Sequence, residues 1–185
     1  MDTELPPNSV DKSVPIEELL PYVQRWVIPL LIIFPALYIM LHGLDRFIYG
    51  IFDGRVIIWH LVAIIGLTIG HEVTHAVGWI VAGRLNPRVI RFGIDRKTLS
   101  PYAHSTVPMK ARAYRIGGLL PTLTTAILPG IYALITGYAP AALWAAIMLV
   151  GALGDFAVIW LIRDVPPHAH VIDHPKKAGC IVINS

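Results

Sequence analysis

Four long apolar runs divide this chain: Trp26–Leu44, Val56–Ala82, Arg115–Gly137 and Ala139–Ile162. Each is near the length of about 20 residues that a helix needs to cross a bilayer. Pro29 and Pro35 predict kinks in the first run. The second carries Gly66, Gly70, Thr74, Gly78 and Ala82 at four-residue spacing, a stripe that lets another helix approach closely. Gly117-Gly118, Pro121 and Pro129-Gly130 break the third. They predict an irregular helix, of the kind tolerated at membrane depth only when buried in protein or lining a wet cavity. A tight turn near Gly137–Pro140 leads into the fourth.

The polar segments between predict less. Residues 1–24 carry four prolines and read as a flexible tail with a short surface helix around Ile16–Leu20. Leu44–Arg55 reads as a short loop. In the basic connection Gly83–Tyr114, Arg88–Ile94 alternates apolar with polar and predicts a strand. A turn at Ser100-Pro101 and a second strand over Tyr102–Val107 follow. Arg163–Ser185 reads as a polar tail ending in a strand candidate, Ile181-Val182-Ile183. The fold class expected is an all-α membrane protein: four transmembrane helices, with a small β-hairpin-like cytoplasmic connection between helices 2 and 3.

Composition agrees. The 185 residues suit one domain; 55% are hydrophobic and 15% charged, with mean hydropathy +0.63, where soluble domains carry about 25% charged residues. The net charge of +3 is unevenly placed. Four spans put both termini and the long connection on one side. That side holds two Lys or Arg in the N-terminal tail, eight from Arg84 to Arg115 and three in the C-terminal tail. The other side holds only Arg46 and Arg55. The positive-inside rule then makes the termini cytoplasmic, and the charge reads as topology rather than as nucleic-acid binding. The N-terminus is unlike a cleavable signal peptide, and the lone Cys180 offers no intramolecular disulfide.

The chemistry lies in the second run, at His71-Glu72-Val73-Thr74-His75. This H-E-x-x-H places two imidazoles one helical turn apart, where both reach one metal ion, with Glu72 between them and near enough to act on a metal-bound water. Three ionisable residues in a membrane-length segment are costly without partners or function. Depth supplies a partner. His75 is seven residues before the cytoplasmic end of span two, near Ala82, and Asp155 is seven before that of span four, near Ile162; both lie about 10 Å inside the boundary. His71, His75 and Asp155 are therefore the expected ligands of one Zn²⁺, with a fourth position for water. The alternative is that Asp155 pairs with a basic side chain such as Arg115. His60, beside Trp59, reads as interfacial. His168, His170 and His174 with Asp173 match no closed zinc site and read as an ordinary surface tail; Cys180 reads as a small apolar residue.

An H-E-x-x-H in one span and an aspartate two spans later resemble the three-helix core of site-2 proteases, the intramembrane metalloproteases. The chain resembles more closely a small bacterial and archaeal membrane family named as putative zincin peptidases. The pieces that carry this likeness are His71–His75, Phe92-Gly93-Ile94, Pro101-Tyr102-Ala103-His104, Tyr114-Arg115-Ile116 leading to Leu120-Pro121, Gly154-Asp155, and Asp173-His174-Pro175 with Gly179. The resemblance implies a zinc metalloendopeptidase cutting membrane-associated protein or peptide substrates, with Glu72 taking a proton from water and returning it to the leaving amine. His104 is expected either as a transition-state hydrogen-bond donor or gate, or as a solvated loop histidine. The segments expected are a cytoplasmic tail over 1–25, a metalloprotease-like transmembrane domain over 26–162 and a cytoplasmic tail over 163–185, in a prokaryotic cell membrane. The lipid bilayer is a partner and nucleic acid is not; no oligomeric state is implied. Two other functions suit the same residues: a metal-ion or proton transporter, and an inactive metal-binding scaffold.

Overall fold

The computed structural model describes residues 9–94, 101–174 and 177–183. Among them the chain is mostly helical. Four stretches are long and apolar enough to cross a membrane: Ile16–His42, Ile57–Gly83, Ala111–Thr136 and Ala139–Leu161. Small antiparallel sheets complete it. Contacts divide the chain into two compact units. One comprises Met1–Tyr22, Glu72–Leu120 and Gly154–Ser185; the other comprises Val23–His71 and Pro121–Leu153.

The first unit holds the sheets. Strand β1 (Ser9–Val14) pairs with β6 (Ala178–Ile183), which pairs with β5 (His170–Asp173), which pairs with β4 (Met109–Lys110). The expected flexible tail is therefore corrected over residues 9–14: Ser9–Val14 finds a partner about 170 residues away, with Ser9 opposite Ile183 and Val14 opposite Ala178. A local sequence pattern carries no sign of so distant a pairing. Gly179 permits it. Its φ of +121° suits glycine, and a side chain there would meet the backbone of Lys12 and Ser13. The expected hairpin is present: β2 (Ile90–Ile94) pairs with β3 (Pro101–Ser105), with Arg91 opposite His104. A core of Trp79, Ile90, Met109, Tyr114, Val171 and Cys180 fills this unit.

The remaining described elements are helical. Helix α1 (Ile16–His42) runs without interruption through Pro21, Pro29 and Pro35, so the separate surface helix expected at Ile16–Leu20 is its first turn. Tyr38 on α1 is fully buried and donates to the Gly137 carbonyl at 2.6 Å. The expected loop after it is instead helix α2 (Leu44–Phe52); Phe47 on it is buried. The period of apolar residues in Leu44-Asp45-Arg46-Phe47-Ile48 is helical, and the segment's brevity hid it. Helix α3 (Ile57–Gly83) is the second span, 27 residues or about 40 Å long. It leaves large apolar side chains such as Ile58 (67%) and Val81 (72%) exposed.

The third span is irregular, as its glycines and prolines predict. Helix α4 (Ala111–Pro121) gives way to a π-helical turn at Thr122–Ile127 and then to α5 (Leu128–Thr136). Thr124 and Thr125 hydroxyls both donate to the Pro121 carbonyl, at 3.3 and 2.8 Å, satisfying an acceptor that the widened turn leaves open. The fourth span is α6 (Ala139–Gly151) followed by α7 (Leu153–Leu161), with Asp155 in the first turn of α7.

Candidate metal centre

His71, Glu72 and His75 lie within about one turn of α3, and each offers a ligand atom within 4.8 Å of the others. Both histidines are buried, at 7% and 6% exposure. Their ring nitrogens are assigned by what they meet. His75 Nδ1 lies 2.9 Å from the Gly117 carbonyl, which only accepts, so Nδ1 carries the hydrogen. Its Nε2 then points at Asp155, 3.3 Å from Oδ1. His71 Nδ1 lies 3.4 Å from the Thr125 hydroxyl oxygen, whose own hydrogen is committed to Pro121. That oxygen accepts, and the Nε2 of His71 is left as the lone-pair nitrogen. A metal-ligating histidine has this arrangement: one nitrogen donates to a fixed acceptor, which sets the tautomer and the ring plane for the other.

The donors fit zinc. Two ligands of a tetrahedral Zn²⁺, bonded at about 2.0–2.1 Å, lie about 3.3–3.4 Å apart. The His75 Nε2 to Asp155 Oδ1 separation matches that spacing. Imidazole and carboxylate are also the donor types of catalytic zinc sites. Arg115, the alternative partner for Asp155, donates to the carbonyls of Ile162 and, at 2.7 Å, of Val165, and so caps the end of α7.

Backbone proximity makes the Gly117 bond available. A side chain on Gly78 would fall 2.5 Å from the Gly117 Cα, so α3 and α4 touch along their backbones there. The small-residue stripe is thus used at Gly78. Gly70 is in ordinary contact with the Thr125 methyl, and nothing lies near Gly66.

Sequence reasoning missed several residues. Trp79 stacks on His75, with ring centroids 5.4 Å apart, and on Tyr114 at 6.1 Å. Its indole donates to the Tyr114 carbonyl at 3.3 Å. The surface-tail reading of Asp173 is overturned. Its carboxylate accepts from the Tyr114 hydroxyl at 2.7 Å and from the Ser105 amide at 3.0 Å. Burial pushes its pKa up, against the lowering effect of those two hydrogen bonds. The Trp79 and Thr125 roles left no signal in sequence, because each depends on contact with another segment. Asp173 had one, as an acidic residue directly after the strand-forming pair Val171-Ile172. His104 sits on β3, its ring 5.7 Å from that of Tyr102, and is outside the three-residue metal-competent group.

Two histidines and a glutamate on one turn, in a chain with four membrane-length helices, define a candidate metallopeptidase of the H-E-x-x-H kind. The chain belongs to the family described as "Putative zincin peptidase", which matches residues 64–170, from the first third of α3 to the start of β5. No curated protein and no solved structure matches it.

Proposed function

We propose that this protein is a zinc-dependent endopeptidase of the site-2-protease type, cutting membrane-associated proteins or peptides within or near the bilayer. His71, His75 and Asp155 would hold the metal, and Glu72 would be the general base. The observation that carries the reading is the orientation of His75: Nδ1–H fixed on the Gly117 carbonyl, Nε2 set at zinc-ligand spacing from Asp155. Zinc bound there would lower the pKa of a coordinated water to about 7 and polarise a peptide carbonyl. Glu72 is placed beside both histidines without a need to ligate; its carboxylate would accept a proton from water and return it to the leaving amine. Gly117 and Thr125 hold the two imidazoles in the required tautomer. The hairpin of β2 and β3 would offer an edge to a locally unwound substrate, with His104 near it as a hydrogen-bond donor. The Lys and Arg distribution supports a cytoplasmic side for both termini and the sheets.

The test is cleavage of a membrane-protein substrate by purified protein, with zinc measured in the same samples. Glu72→Gln is expected to keep one zinc per chain and to lose at least about a hundredfold in cleavage, the scale of general-base catalysis. Asp155→Ala is expected to lose zinc. A Glu72→Gln protein with wild-type cleavage removes the base, and full zinc occupancy in Asp155→Ala removes that ligand.

A further inference from the structure

Away from the residues assigned to metal and proton, the first unit contains a carboxylate with two strong donors on different elements. Asp173 ends β5, opposite Cys180 in the sheet. Tyr114, on α4, gives it a hydroxyl hydrogen at 2.7 Å; Ser105, at the end of β3, gives it an amide hydrogen at 3.0 Å.

Each donor leads toward the metal centre by a short path. Tyr114 is three residues, about one helical turn, before Gly117, whose carbonyl orients His75. The Tyr114 carbonyl also accepts from Trp79, and the Trp79 ring stacks within 18° of parallel to that of His75 and 19° to that of Tyr114. Holding the Tyr114 hydroxyl therefore holds the face against which His75 is set. Ser105 directly follows His104, and its hydroxyl donates to Val107 at 2.9 Å, which pins the end of the strand. Holding the Ser105 amide fixes where β3 presents His104. A carboxylate suits this double task, since hydrogen bonds to an ionised acceptor are shorter and stronger than neutral ones. Burial makes that charge costly where it stands, so general stability does not account for it.

We propose that Asp173 is a positioning residue of the metal centre: one carboxylate locks the strand that bears His104 to the helix face that orients His75. The proposal rests on the peptidase reading for the tasks of those two histidines, but the lock itself is readable without cleavage.

The test uses the full chain in detergent or nanodiscs, loaded with zinc or with Co²⁺, comparing Asp173→Asn and Tyr114→Phe with wild type. Both variants keep side-chain volume. Four quantities are read: metal stoichiometry, the ligand-field absorption of bound Co²⁺, hydrogen exchange at the Ser105 amide, and kcat and KM. Asp173→Asn is expected to keep one metal per chain, shift the Co²⁺ bands, and speed Ser105 exchange by about tenfold or more. It should lower kcat by about 10- to 100-fold, the usual effect of a residue that supports a metal ligand, with KM nearly unchanged. Tyr114→Phe should shift the same bands while sparing Ser105 exchange. Lys12→Ala, which removes the exposed Lys12–Asp164 ion pair of the same unit, should change none of the four. Wild-type Co²⁺ bands in both variants would overturn the proposal, as would faster Ser105 exchange with kcat unaltered in an active wild type. If the wild type shows no Glu72-dependent cleavage, the peptidase reading falls, and the Co²⁺ bands with the Ser105 exchange still decide whether Asp173 holds the site.

Discussion

Gly78→Ala tests whether backbone contact between α3 and α4 sets the metal centre. The new methyl would fall 2.5 Å from the Gly117 Cα and 3.2 Å from its amide nitrogen. Carbon atoms rest at about 3.5 Å or more, so the two backbones must separate by about 1 Å. The obstacle is main chain, and no rotamer change relieves it. The same displacement stretches the bond from His75 Nδ1 to the Gly117 carbonyl from 2.9 Å past the limit for a useful hydrogen bond. Overpacking of this size costs about 1–3 kcal/mol, and the lost bond about 1 kcal/mol more. The catalytic effect should be larger, because a misplacement of about 1 Å costs about a hundredfold in rate. Gly66→Ala supplies the comparison on the same helix: nothing lies within 4 Å, and replacing a helical glycine gains about 0.5–1 kcal/mol. Thermal unfolding, zinc stoichiometry and cleavage would be measured for both. Gly78→Ala with wild-type zinc affinity and cleavage would refute the argument, and so would equal losses in the two variants.

Asp173 gives a pH signature: its folded pKa is raised, chiefly by burial, so its contribution to stability is full below its unfolded pKa and is lost as pH rises through the folded one. Groups facing it are Tyr114, Ser105, His104, His75 and Cys180, and the Tm of wild type relative to Asp173→Asn should fall as pH rises; a constant difference would contradict this. Cys180 is fully buried, and burial with the nearby Asp173 charge pushes its pKa up to about 12. At pH 8 the thiolate fraction is then about 10⁻⁴ against roughly a quarter for a free thiol, so maleimide labelling of the folded protein should be slower by about a thousandfold or more. Labelling at the rate of a free cysteine would show the site to be open. His60→Phe should cost about 1–3 kcal/mol of stability, from the two hydrogen bonds lost, and leave zinc content and cleavage unchanged; loss of zinc would place His60 at the metal.

Equal depth was enough to pair Asp155 with His75, because helices of fixed rise convert residue counts into height, and the two side chains meet at 3.3 Å. The third span's irregularity was legible from Pro121 and its glycines, for proline removes a donor wherever it stands. That the irregularity is a π turn, placing the Thr125 hydroxyl beside His71, was not legible, since it depends on how α3 meets the turn. The strands failed for a related reason. Residues 88–94 and 102–107 are near neighbours in sequence and the first of them alternates, whereas β1 is six residues long and pairs across almost the whole chain. Asp173 was misread because its own segment is polar; the partners that enclose it, Tyr114 and Ser105, come from elements 59 and 68 residues away.

The same hydrogen bonds bear on the choice between hydrolysis and transport. A proton pathway needs groups that can turn from one carrier to the next along the span. His60, the ionisable residue of α3 furthest from the H-E-x-x-H turn, has both nitrogens committed: Nε2 donates to the Ile51 carbonyl at 2.8 Å, and Nδ1 accepts from the Trp144 indole at 2.9 Å. Neither partner carries protons at ordinary pH. Thr68, between His60 and His71, returns its hydroxyl to the Ile64 carbonyl of its own helix. These groups act as structural pins. His71, Glu72 and His75, by contrast, bring ligand atoms within 4.8 Å of one another, and His75 Nε2 lies 3.3 Å from Asp155, with Nδ1 of each imidazole held by another segment. A relay would gain from mobile rings, whereas a metal that activates water gains from rings held still. The rigidity of these contacts is the physical reason to favour a hydrolytic site over a conduit.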